Sequence, residues 1–383
     1  MHVNDLLKTA VEAGASDLHI KVGSYPMMRL RGSLVPVTEE KRLEHDDVVT
    51  MSASVMSKIH AEKFKDANEV DLAYGVPGLG RFRVNIFQQR GTVGMVLRVI
   101  PTIIKSVDEL GLPPVLKAIA SEERGLVLVT GTTGSGKSTT LAAMIDYINK
   151  TRKAHVMTVE DPIEFLHRDQ QSIINQREVA VDTRSFAYAL RSALRQDPDV
   201  ILVGEMRDFE TIETALLAAE TGHLVFSTLH TLDATETINR IIAVFQPHQQ
   251  KQVRLQLAAV LKGVISQRLM PSADGKSRVP AVEVMVTTAY IRDCIVDKDK
   301  TSLIHGAIAQ GTSQYGMQTF DQSIFSLYSQ GLVSYDEALR WASNVDEFKL
   351  KVQGISTTAD MSRDQMASAV LPGRTPEITR FGG

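Results

Sequence analysis

The sequence predicts an α/β fold in two domains, and three observations lead to this prediction. The chain has 383 residues, roughly two to three times the commonest size of a single domain, so we expect two domains with enough core to fold without disulfide bonds. Hydrophobic residues make up 43% of the chain, which is too high for a disordered protein. The hydrophobic pattern changes its period beyond 101–114, a segment with three prolines that is typical of a linker.

This change of pattern divides the chain into four parts. The tail is predicted from composition, because the sequence after Ile355 turns to Ser, Thr, Asp, Pro and Gly without periodicity. We expect a first domain at 1–104, a linker at 105–115, a second domain at 116–355 and a flexible tail at 356–383.

Charge and cysteine content exclude several classes of protein. Forty-five acidic against forty-two basic residues give a net charge of -3, so no global polycation is present to bind nucleic acid or an anionic membrane. The single cysteine, Cys294, excludes an intrachain disulfide and a cysteine-based zinc module, and it fits a reducing compartment. No apolar run approaches the ~18 residues of a membrane span, and no signal peptide is recognised, so we expect a protein that is cytoplasmic or peripherally docked there.

The first domain begins with a helix followed by a strand. Residues 3–13 carry an apolar stripe at helical spacing, and Gly14 is positioned to end that helix. Residues 16–22 then alternate between apolar and polar side chains, which is the pattern of a strand with one face in the core.

A β-hairpin is predicted next, between residues 81 and 100. The runs 81–87 and 93–100 both alternate, and Gly91 supplies the turn. With a two-residue loop, Arg83 lies directly opposite Arg98. Like charges that face each other across a strand pair repel by ~0.2 to 1 kcal/mol, which favours a role for both arginines in binding an anion. Two solvated arginines on a sheet face are the alternative.

The second domain shows the pattern of a parallel sheet with helices on both faces. Short runs rich in β-branched residues alternate with helical stretches, as in doubly wound α/β folds. The predicted strands are 125–130, 156–160, 200–203 and 224–229. The predicted helices are 141–148, 186–194, 212–219 and a long one at 253–269 that follows Pro247.

A complete phosphate-binding loop stands between strand 125–130 and helix 141–148. Its glycines let the backbone curl so that successive N–H groups face inward, Lys137 brings a positive charge to the terminal phosphates, and the Ser138 hydroxyl can ligate Mg²⁺. The sequence therefore predicts that ATP and Mg²⁺ bind here. The predicted nucleotide-binding residues are Gly131, Thr132, Thr133, Gly134, Ser135, Gly136, Lys137, Ser138 and Thr139.

Acidic residues follow two of the predicted strands. Glu205 comes directly after the apolar run 200–203 and Gly204, and it is a Walker B candidate that holds the metal directly or through water. A second acidic cluster ends the strand 156–160 and continues to Glu164. A pair of acids at this place could orient the attacking water, and a surface turn is the alternative.

Two histidines flank the strand 224–229. His223 precedes it and His230 follows it, and a lone histidine is more often a structural residue than a site residue. His230 is the better candidate, because it shares the carboxyl end of the sheet with Glu205.

Together these motifs resemble those of the secretion-type ATPases of type IV pilus and type II secretion machines, and most closely their pilus retraction branch. The resemblance runs from Val3 to about Ile355, and the stretch 316–322 is also similar to the retraction branch. Besides the phosphate loop it rests on Ser-Asp-Leu-His-Ile at 16–20, an Asp box at 159–165, Val-Gly-Glu-Met-Arg-Asp at 203–208 and a His box at 219–231.

The resemblance implies a PAS-like α+β domain at 1–104 joined to a RecA-like P-loop NTPase domain at 116–355. It implies an ATP-hydrolysing motor, assembled as a hexameric ring, that powers pilus retraction by depolymerisation and hence twitching motility. Implied partners are the other copies of a homohexamer, the inner-membrane platform protein of the pilus, and a paralogous retraction ATPase, with no nucleic acid. The implied location is the cytoplasm, docked peripherally at the inner membrane.

The resemblance also assigns roles to single residues. Arg83 and Arg98 of the first domain would approach the nucleotide phosphates, and Arg81 is a further candidate for this role. The His box and Arg240 would face the phosphates as well, while the two glutamates would share water activation and metal coordination. The implied catalytic residues are Glu164, Glu205, Arg83, Arg98, His230 and Arg240, and the implied metal ligands are Ser138 and Glu205.

One motif departs from the retraction branch, and three alternatives follow from other features. At 289–297, Val296 and Asp297 stand where that branch carries Arg and Glu, although Arg292 is retained. An assembly ATPase for pilus extension or type II secretion is the first alternative, but such relatives usually carry a four-cysteine zinc site. A RecA-like nucleic-acid translocase is the second, which the net charge and the low content of aromatics disfavour. A scaffold that binds ATP without hydrolysing it is the third.

Overall fold

The computed structural model describes residues 2–30, 32–37, 41–101 and 103–354. The tail predicted at 356–383 lies outside these residues. By its internal packing the chain divides into two compact units. The first comprises Met1–Ile103 and Glu164–His167, and the second comprises Ile104–Ile163 and Arg168–Gly383.

The first unit is an α+β structure built on one sheet of six strands. Its helices are α1 (Val3–Glu12), α2 (His45–Val55) and α3 (Lys58–Ala67). Its strands are β1 (Asp17–Lys21), β2 (Met27–Leu30), β3 (Ser33–Pro36), β4 (Glu69–Val76), β5 (Gly80–Gln89) and β6 (Thr92–Val99). They pair in the order β3-β2-β1-β6-β5-β4, each antiparallel to its neighbours.

The predicted first helix and first strand are both confirmed. In α1 the apolar stripe is buried, while Gly14 adopts a φ of 71° just beyond the helix end. In β1, Leu18 and Ile20 enter the core, whereas His19 points to the other face of the sheet. The core of this unit therefore lies between one face of the sheet and its helices.

The predicted hairpin is formed by β5 and β6. Its loop consists of two residues, Arg90 and Gly91, both in the left-handed region with φ of 48° and 75°, as a tight turn matched to strand twist requires. Arg83 is the register partner of Arg98, as predicted. The core face of β5 carries three fully buried residues, Phe82, Val84 and Ile86.

The second unit contains a seven-stranded sheet and most of the helices. Its strands are β7 (Gly125–Thr130), β8 (His155–Glu160), β9 (Ile173–Glu178), β10 (Val200–Val203), β11 (Leu224–Leu229), β12 (Leu261–Pro271) and β13 (Arg278–Val286). Its helices up to β12 are α4 (Val115–Ala120), α5 (Lys137–Thr151), α6 (Phe186–Ala193), α7 (Phe209–Glu220), α8 (Ala234–Ala243) and α9 (Gln250–Val260). The strand order is β13-β12-β7-β11-β10-β8-β9, all parallel except β13.

Both faces of this sheet are covered, as the sequence predicts. Leu126 and Leu128 of β7 pack in one apolar cluster with α7 and α8, whereas Val127 and Val129 pack in another with α5. Alternate residues of a strand point to opposite faces, so a strand covered on both sides is apolar throughout. This arrangement confirms the doubly wound α/β class.

One predicted element is wrong, because residues 253–269 do not form a single helix. The helix α9 ends at Val260, and the chain continues as β12, parallel to β7 and antiparallel to β13. All residues at 263–267 are buried, and a run that is buried throughout has no period that would distinguish a strand from a helix. The β-branched Val264 and Ile265 favour the strand, and pairing with two neighbours decides the outcome.

Short helices follow β13 and complete the unit. At 15 residues α5 is the longest helix described, and no helix in the described part of the chain has both the length and the apolar character needed to cross a membrane. The remaining helices are α10 (Ala289–Val296), a 3₁₀ helix (Lys298–Leu303), α11 (Ile304–Gln310), α12 (Thr312–Tyr315), α13 (Phe320–Ser329), α14 (Tyr335–Trp341) and α15 (Val345–Val352).

Candidate nucleotide site and arginine row

The predicted phosphate loop connects β7 to α5 at the carboxyl edge of the parallel sheet. Gly131, Gly134 and Gly136 have φ of 137°, 79° and 96°, so all three lie in the region that disfavours other residues. A Cβ atom at Gly131 would collide with the carbonyl oxygen of Gln267 and lie 2.6 Å from Oγ of Ser135. The curled loop therefore depends on glycine for both conformation and space.

Lys137 is the first residue of α5, and its side chain turns back over the loop. The Nζ atom donates hydrogen bonds to the carbonyl oxygens of Gly131 at 2.8 Å and Thr132 at 3.0 Å. Lys137 is only 9% exposed, so its ammonium is held close to the loop backbone. A positive charge in this place attracts an anion that the loop encloses.

The loop has the properties of a phosphate site. Among the described residues, Oγ of Ser135 is buried without a hydrogen-bond partner, which leaves a donor for a ligand oxygen. The helix α5 contributes the partial positive charge of its amino terminus. These residues fit the phosphates of a nucleotide.

The oxygen donors needed for Mg²⁺ are also present. Ser138 lies half-buried in the first turn of α5, and Glu205 offers a carboxylate. The part of the chain that the structure describes contains no cluster of three or more His, Cys, Asp and Glu side chains that could hold a metal alone. Magnesium is usually bound by one or two protein oxygens together with substrate phosphates and water, so the residues present fit this ion.

Polar side chains of β12 form hydrogen bonds with the residues that flank the phosphate loop. Thr130, at the end of β7, donates from Oγ1 to Oγ of Ser266 at 2.9 Å, and Nε2 of Gln267 donates to Oγ1 of Thr140 at 2.8 Å. All four side chains are buried. Sequence reasoning missed Ser266 and Gln267 because it assigned their segment to a helix, although two polar residues within an apolar run were a usable signal.

Glu205 follows β10 and lies beside the end of β11. Its Oε2 atom is 2.7 Å from Nε of Arg207 and 3.5 Å from Nε2 of His230. The Glu205 side chain is 14% exposed, so this carboxylate is largely shielded from water. The structure thus brings Glu205 and His230 together, and it adds Arg207, for which the sequence predicts no role.

The backbone around Glu205 is tied to the neighbouring strand. Thr228 of β11 donates from Oγ1 to the carbonyl oxygen of Gly204 at 2.7 Å, and its own carbonyl accepts from the Met206 N–H at 3.1 Å. These two bonds hold the turn that presents Glu205. The two bonds join the carboxyl ends of the parallel strands β10 and β11. Glu205, the second residue after β10, and His230, the first residue after β11, are therefore adjacent.

The acidic residues of the cluster at 160–164 belong to different units. Glu160 accepts hydrogen bonds from Oγ1 of Thr158 at 2.6 Å and Nε2 of Gln176 at 3.2 Å, so it stabilises its own strand and the neighbouring one. The bond between Asp161 and Pro162 is cis. Glu164 lies in the segment that groups with the first unit.

Arg240 lies in the last turn of α8 with its side chain exposed. No hydrogen bond or ion pair joins it to another described residue. It remains available for an anion, and the structure does not bring it together with Glu205 and His230.

A buried carboxyl lies beside the start of α8. Glu283 of β13 is 2% exposed, and its Oε1 accepts a hydrogen bond from the Ala234 N–H at the start of α8 at 2.9 Å. Burial raises the pKa of Glu283 to about 7; the Ala234 N–H and the charge of Arg268 oppose this rise, and Asp233 and Asp321 add to it. Sequence reasoning gave no sign of this group.

In the first unit the two opposed arginines are not alone on their face of the sheet. Nε of Arg98 is 2.8 Å from Oδ1 of Asp17 on β1, and Nε of Arg29 on β2 is 3.9 Å from Oδ2 of the same carboxylate. The side chain of Arg83 is exposed, and no described residue pairs with it. We call Arg29, Asp17, Arg98 and Arg83 the arginine row.

Of the two residues that depart from the retraction motif, Asp297 has a local structural role. Val296 ends α10, and Asp297 caps the 3₁₀ helix, because its Oδ1 accepts from the Asp299 N–H at 3.0 Å. Asp297 also lies 3.5 Å from Nζ of Lys300. An aspartate at this position therefore stabilises the start of the next helix.

Comparison with known proteins agrees with this architecture. The chain matches the family model for type II/IV secretion system proteins over residues 1–340. It is 46% identical over 348 residues to the type IV pilus retraction ATPase PilT of Pseudomonas aeruginosa, covering 91% of this chain and 100% of that protein. It is 41% identical over 380 residues to the type IV pilus ATPase PilU of the same organism, covering 99% and 97%.

A solved structure supports the same assignment. A crystal structure of the pilus retraction motor PilT with bound ADP superimposes with a TM-score of 0.84 at 46% identity, covering 91% of this chain and 98% of that one. The family match spans far more than half of the chain, and the relatives are matched over nearly their full length. The chain therefore belongs to the type II/IV secretion system protein family, which confirms the resemblance to the secretion ATPases and their retraction branch.

Proposed function

We propose that this protein is an ATP-hydrolysing motor that powers pilus retraction, working as a homohexamer with Mg²⁺. The observation that carries the proposal is the position of Lys137, held by two loop carbonyls at the mouth of a glycine-dependent phosphate loop. Such a loop at the carboxyl edge of a parallel sheet is the site of phosphoryl transfer in P-loop NTPases. Full-length similarity to a retraction ATPase supports the motor function.

The second unit would perform the chemistry at the γ-phosphate. When bound, Mg²⁺ would neutralise phosphate charge, and Ser138 and Glu205 would hold it. Glu205 would also orient the attacking water together with Glu164. His230, 3.5 Å from Glu205, would keep that carboxylate in place and face the phosphates.

Arginines would stabilise the charge that develops on the transferred phosphoryl group. We propose this role for Arg83 and Arg98 of the first unit and for Arg240 of the second. A guanidinium donates several hydrogen bonds in a fixed plane, which suits the equatorial phosphate oxygens. In related phosphoryl-transfer sites one such arginine contributes roughly a thousandfold or more to the rate.

The proposed partners follow from the same assignment. We propose a homohexamer in the cytoplasm, docked at the inner membrane on the pilus platform protein. A paralogous retraction ATPase is a further proposed partner, which is supported by two pilus ATPases of one organism that both match this chain over nearly its whole length.

The proposal is tested with the purified full chain. We expect phosphate release from ATP that requires Mg²⁺, and sedimentation of a hexamer when ATP is present. Glu205→Gln should retain ATP binding while phosphate release falls about a hundredfold. Glu213→Gln, an exposed acid on α7, is the matched control and should behave as the wild type. Equal phosphate release by both variants would contradict the assigned role of Glu205.

A further inference from the structure

The arginine row crosses four adjacent strands of the first sheet at one register. Asp17 of β1 is the register partner of both Arg29 on β2 and Arg98 on β6, and Arg98 is in turn the partner of Arg83 on β5. All four side chains point away from the core. The row therefore presents three positive charges and one negative charge on one face of the sheet.

The single acid of the row is buried, while its main partner is not. Asp17 is 5% exposed, whereas the side chain of Arg98 is 66% exposed. The buried carboxylate thus holds the Arg98 guanidinium at a fixed position. A side chain that is already held in this way loses fewer conformations when it binds a ligand.

The bond between the two residues uses Nε of Arg98, at 2.8 Å from Oδ1 of Asp17. This leaves both Nη atoms, and among the described residues neither has a hydrogen-bond partner. Two parallel N–H donors are the arrangement with which a guanidinium binds phosphate or carboxylate in a bidentate manner. Asp17 therefore orients Arg98 without occupying its binding edge.

Asp17 remains charged in this setting. Burial alone would raise the pKa of its carboxyl group, but hydrogen bonds from Arg98 and from Oγ of Ser16, together with the charge of Arg98, lower that pKa below its ordinary value. The negative charge also offsets the repulsion between Arg98 and Arg83, which face each other directly. Without the charge of Asp17, repulsion would move the guanidiniums of Arg98 and Arg83 apart.

Arg29 does not compete strongly for this carboxylate. Its Nη1 atom donates to the carbonyl oxygen of Gly32 at 2.7 Å, and its Nε is 3.9 Å from Asp17. Arg29 is thus held by the β2–β3 turn, and Asp17 is bonded at hydrogen-bond distance only to Arg98 and Ser16 among the described residues.

We propose that Asp17 is a positioning residue, which holds Arg98 through Nε so that both Nη groups of Arg98 are presented to the nucleotide phosphates. The inference rests on the proposed function of Arg98 in ATP hydrolysis. It predicts that Asp17 acts on turnover through Arg98 and through no other group.

A double-mutant cycle on the purified full chain tests this. We expect Asp17→Asn, which keeps the shape but removes the charge, to lower kcat about tenfold while the Kd for ADP stays within about twofold of the wild type. In the Arg98→Ala background the same change should have no further effect on kcat. Asp71→Asn is the matched control, since Asp71 is an exposed acid on the same sheet face, and it should leave kcat unchanged.

Each outcome separates the inference from the function on which it rests. Slow turnover in Arg98→Ala with wild-type turnover in Asp17→Asn would overturn the inference alone, as would equal losses from Asp17→Asn in both backgrounds. Wild-type turnover in Arg98→Ala would overturn the proposed role of Arg98 and the inference with it. If Asp17→Asn does not fold in a thermal melt, Asp17→Ser is measured in the same cycle with the same criteria.

Discussion

The ammonium of Lys137 donates a hydrogen bond to the carbonyl oxygen of Gly131 at 2.8 Å, so the two ends of the phosphate loop are joined by the residue that is expected to bind phosphate. A backbone carbonyl is a weaker partner for an ammonium than a phosphate oxygen, because the phosphate is charged. Phosphate binding can therefore replace this bond without leaving the lysine unpaired.

The first prediction concerns this lysine. Lys137→Ala should lower Mg²⁺-dependent phosphate release at least a hundredfold, about the cost of removing one preorganised donor from a transition state. Lys150→Ala is the control, because Lys150 lies on the same helix and is half exposed in an ion pair with Asp146. Phosphate release by Lys137→Ala at the rate of Lys150→Ala would contradict the prediction.

The second prediction concerns Arg83. Arg83→Ala should slow hydrolysis, by roughly a thousandfold if it acts as the arginines of related NTPases do, and leave ADP binding nearly intact because ADP lacks the γ-phosphate. Stopped-flow phosphate release and ADP titration measure the two quantities. Arg90→Asn is the control, since asparagine tolerates the φ of 48° in the same hairpin turn. An unchanged turnover would remove Arg83 from the mechanism.

The third prediction compares two glycines of the phosphate loop that differ both in crowding and in how far their φ lies from the left-handed helical region. Gly131→Ala and Gly134→Ala both place a side chain at positive φ, but only the Cβ at position 131 meets other atoms, whereas nothing lies within 4 Å of the one at 134. We expect Gly131→Ala to be the less stable by about 1–3 kcal/mol in nucleotide-free urea unfolding. Equal stability of the two variants would mean that β12 does not press on the loop.

The fourth prediction is a pH dependence of stability caused by Glu283. Its folded pKa of about 7 lies above the ordinary value of 4.5, so the folded state binds the proton more tightly. The resulting contribution, about 3 kcal/mol, is complete below pH 4.5 and is lost as the pH rises towards 7. Glu283→Gln removes this titration, and relative to the wild type it should gain stability between pH 5 and pH 8.

Thermal melts at several pH values measure this difference. Glu123→Gln, at an exposed site of the same unit, should keep the wild-type pH dependence. A stability difference between Glu283→Gln and the wild type that stays constant from pH 5 to pH 8 would show that Glu283 does not titrate in this range.

Local patterns account for the parts of the fold that the sequence predicted correctly. The predicted strand 224–229 is correct to the residue, because a short run of mostly apolar and β-branched residues is typical of a parallel strand that is buried on both faces. The hairpin register followed from a two-residue turn, which fixes the partner of every residue along both strands. The phosphate loop was visible because all of its parts lie within nine consecutive residues.

The parts that escaped prediction depend on contacts between distant segments. Asp17 and Arg98 are 81 positions apart, and only the antiparallel pairing of β1 with β6 makes them neighbours. In the same way, the burial of Glu283 against Ala234 arises from the packing of β13 on the start of α8. In β12, a uniformly buried run had no period that would distinguish the strand from a helix.

We expect nucleotide hydrolysis at the Lys137 loop to drive pilus retraction. The most direct measurement is retraction in cells whose only copy of this chain carries Lys137→Ala, with cells carrying Lys150→Ala as the reference. We expect pili that assemble but do not retract in the first cells, and normal retraction in the second. Normal retraction with Lys137→Ala as the only copy would show that this loop does not drive retraction.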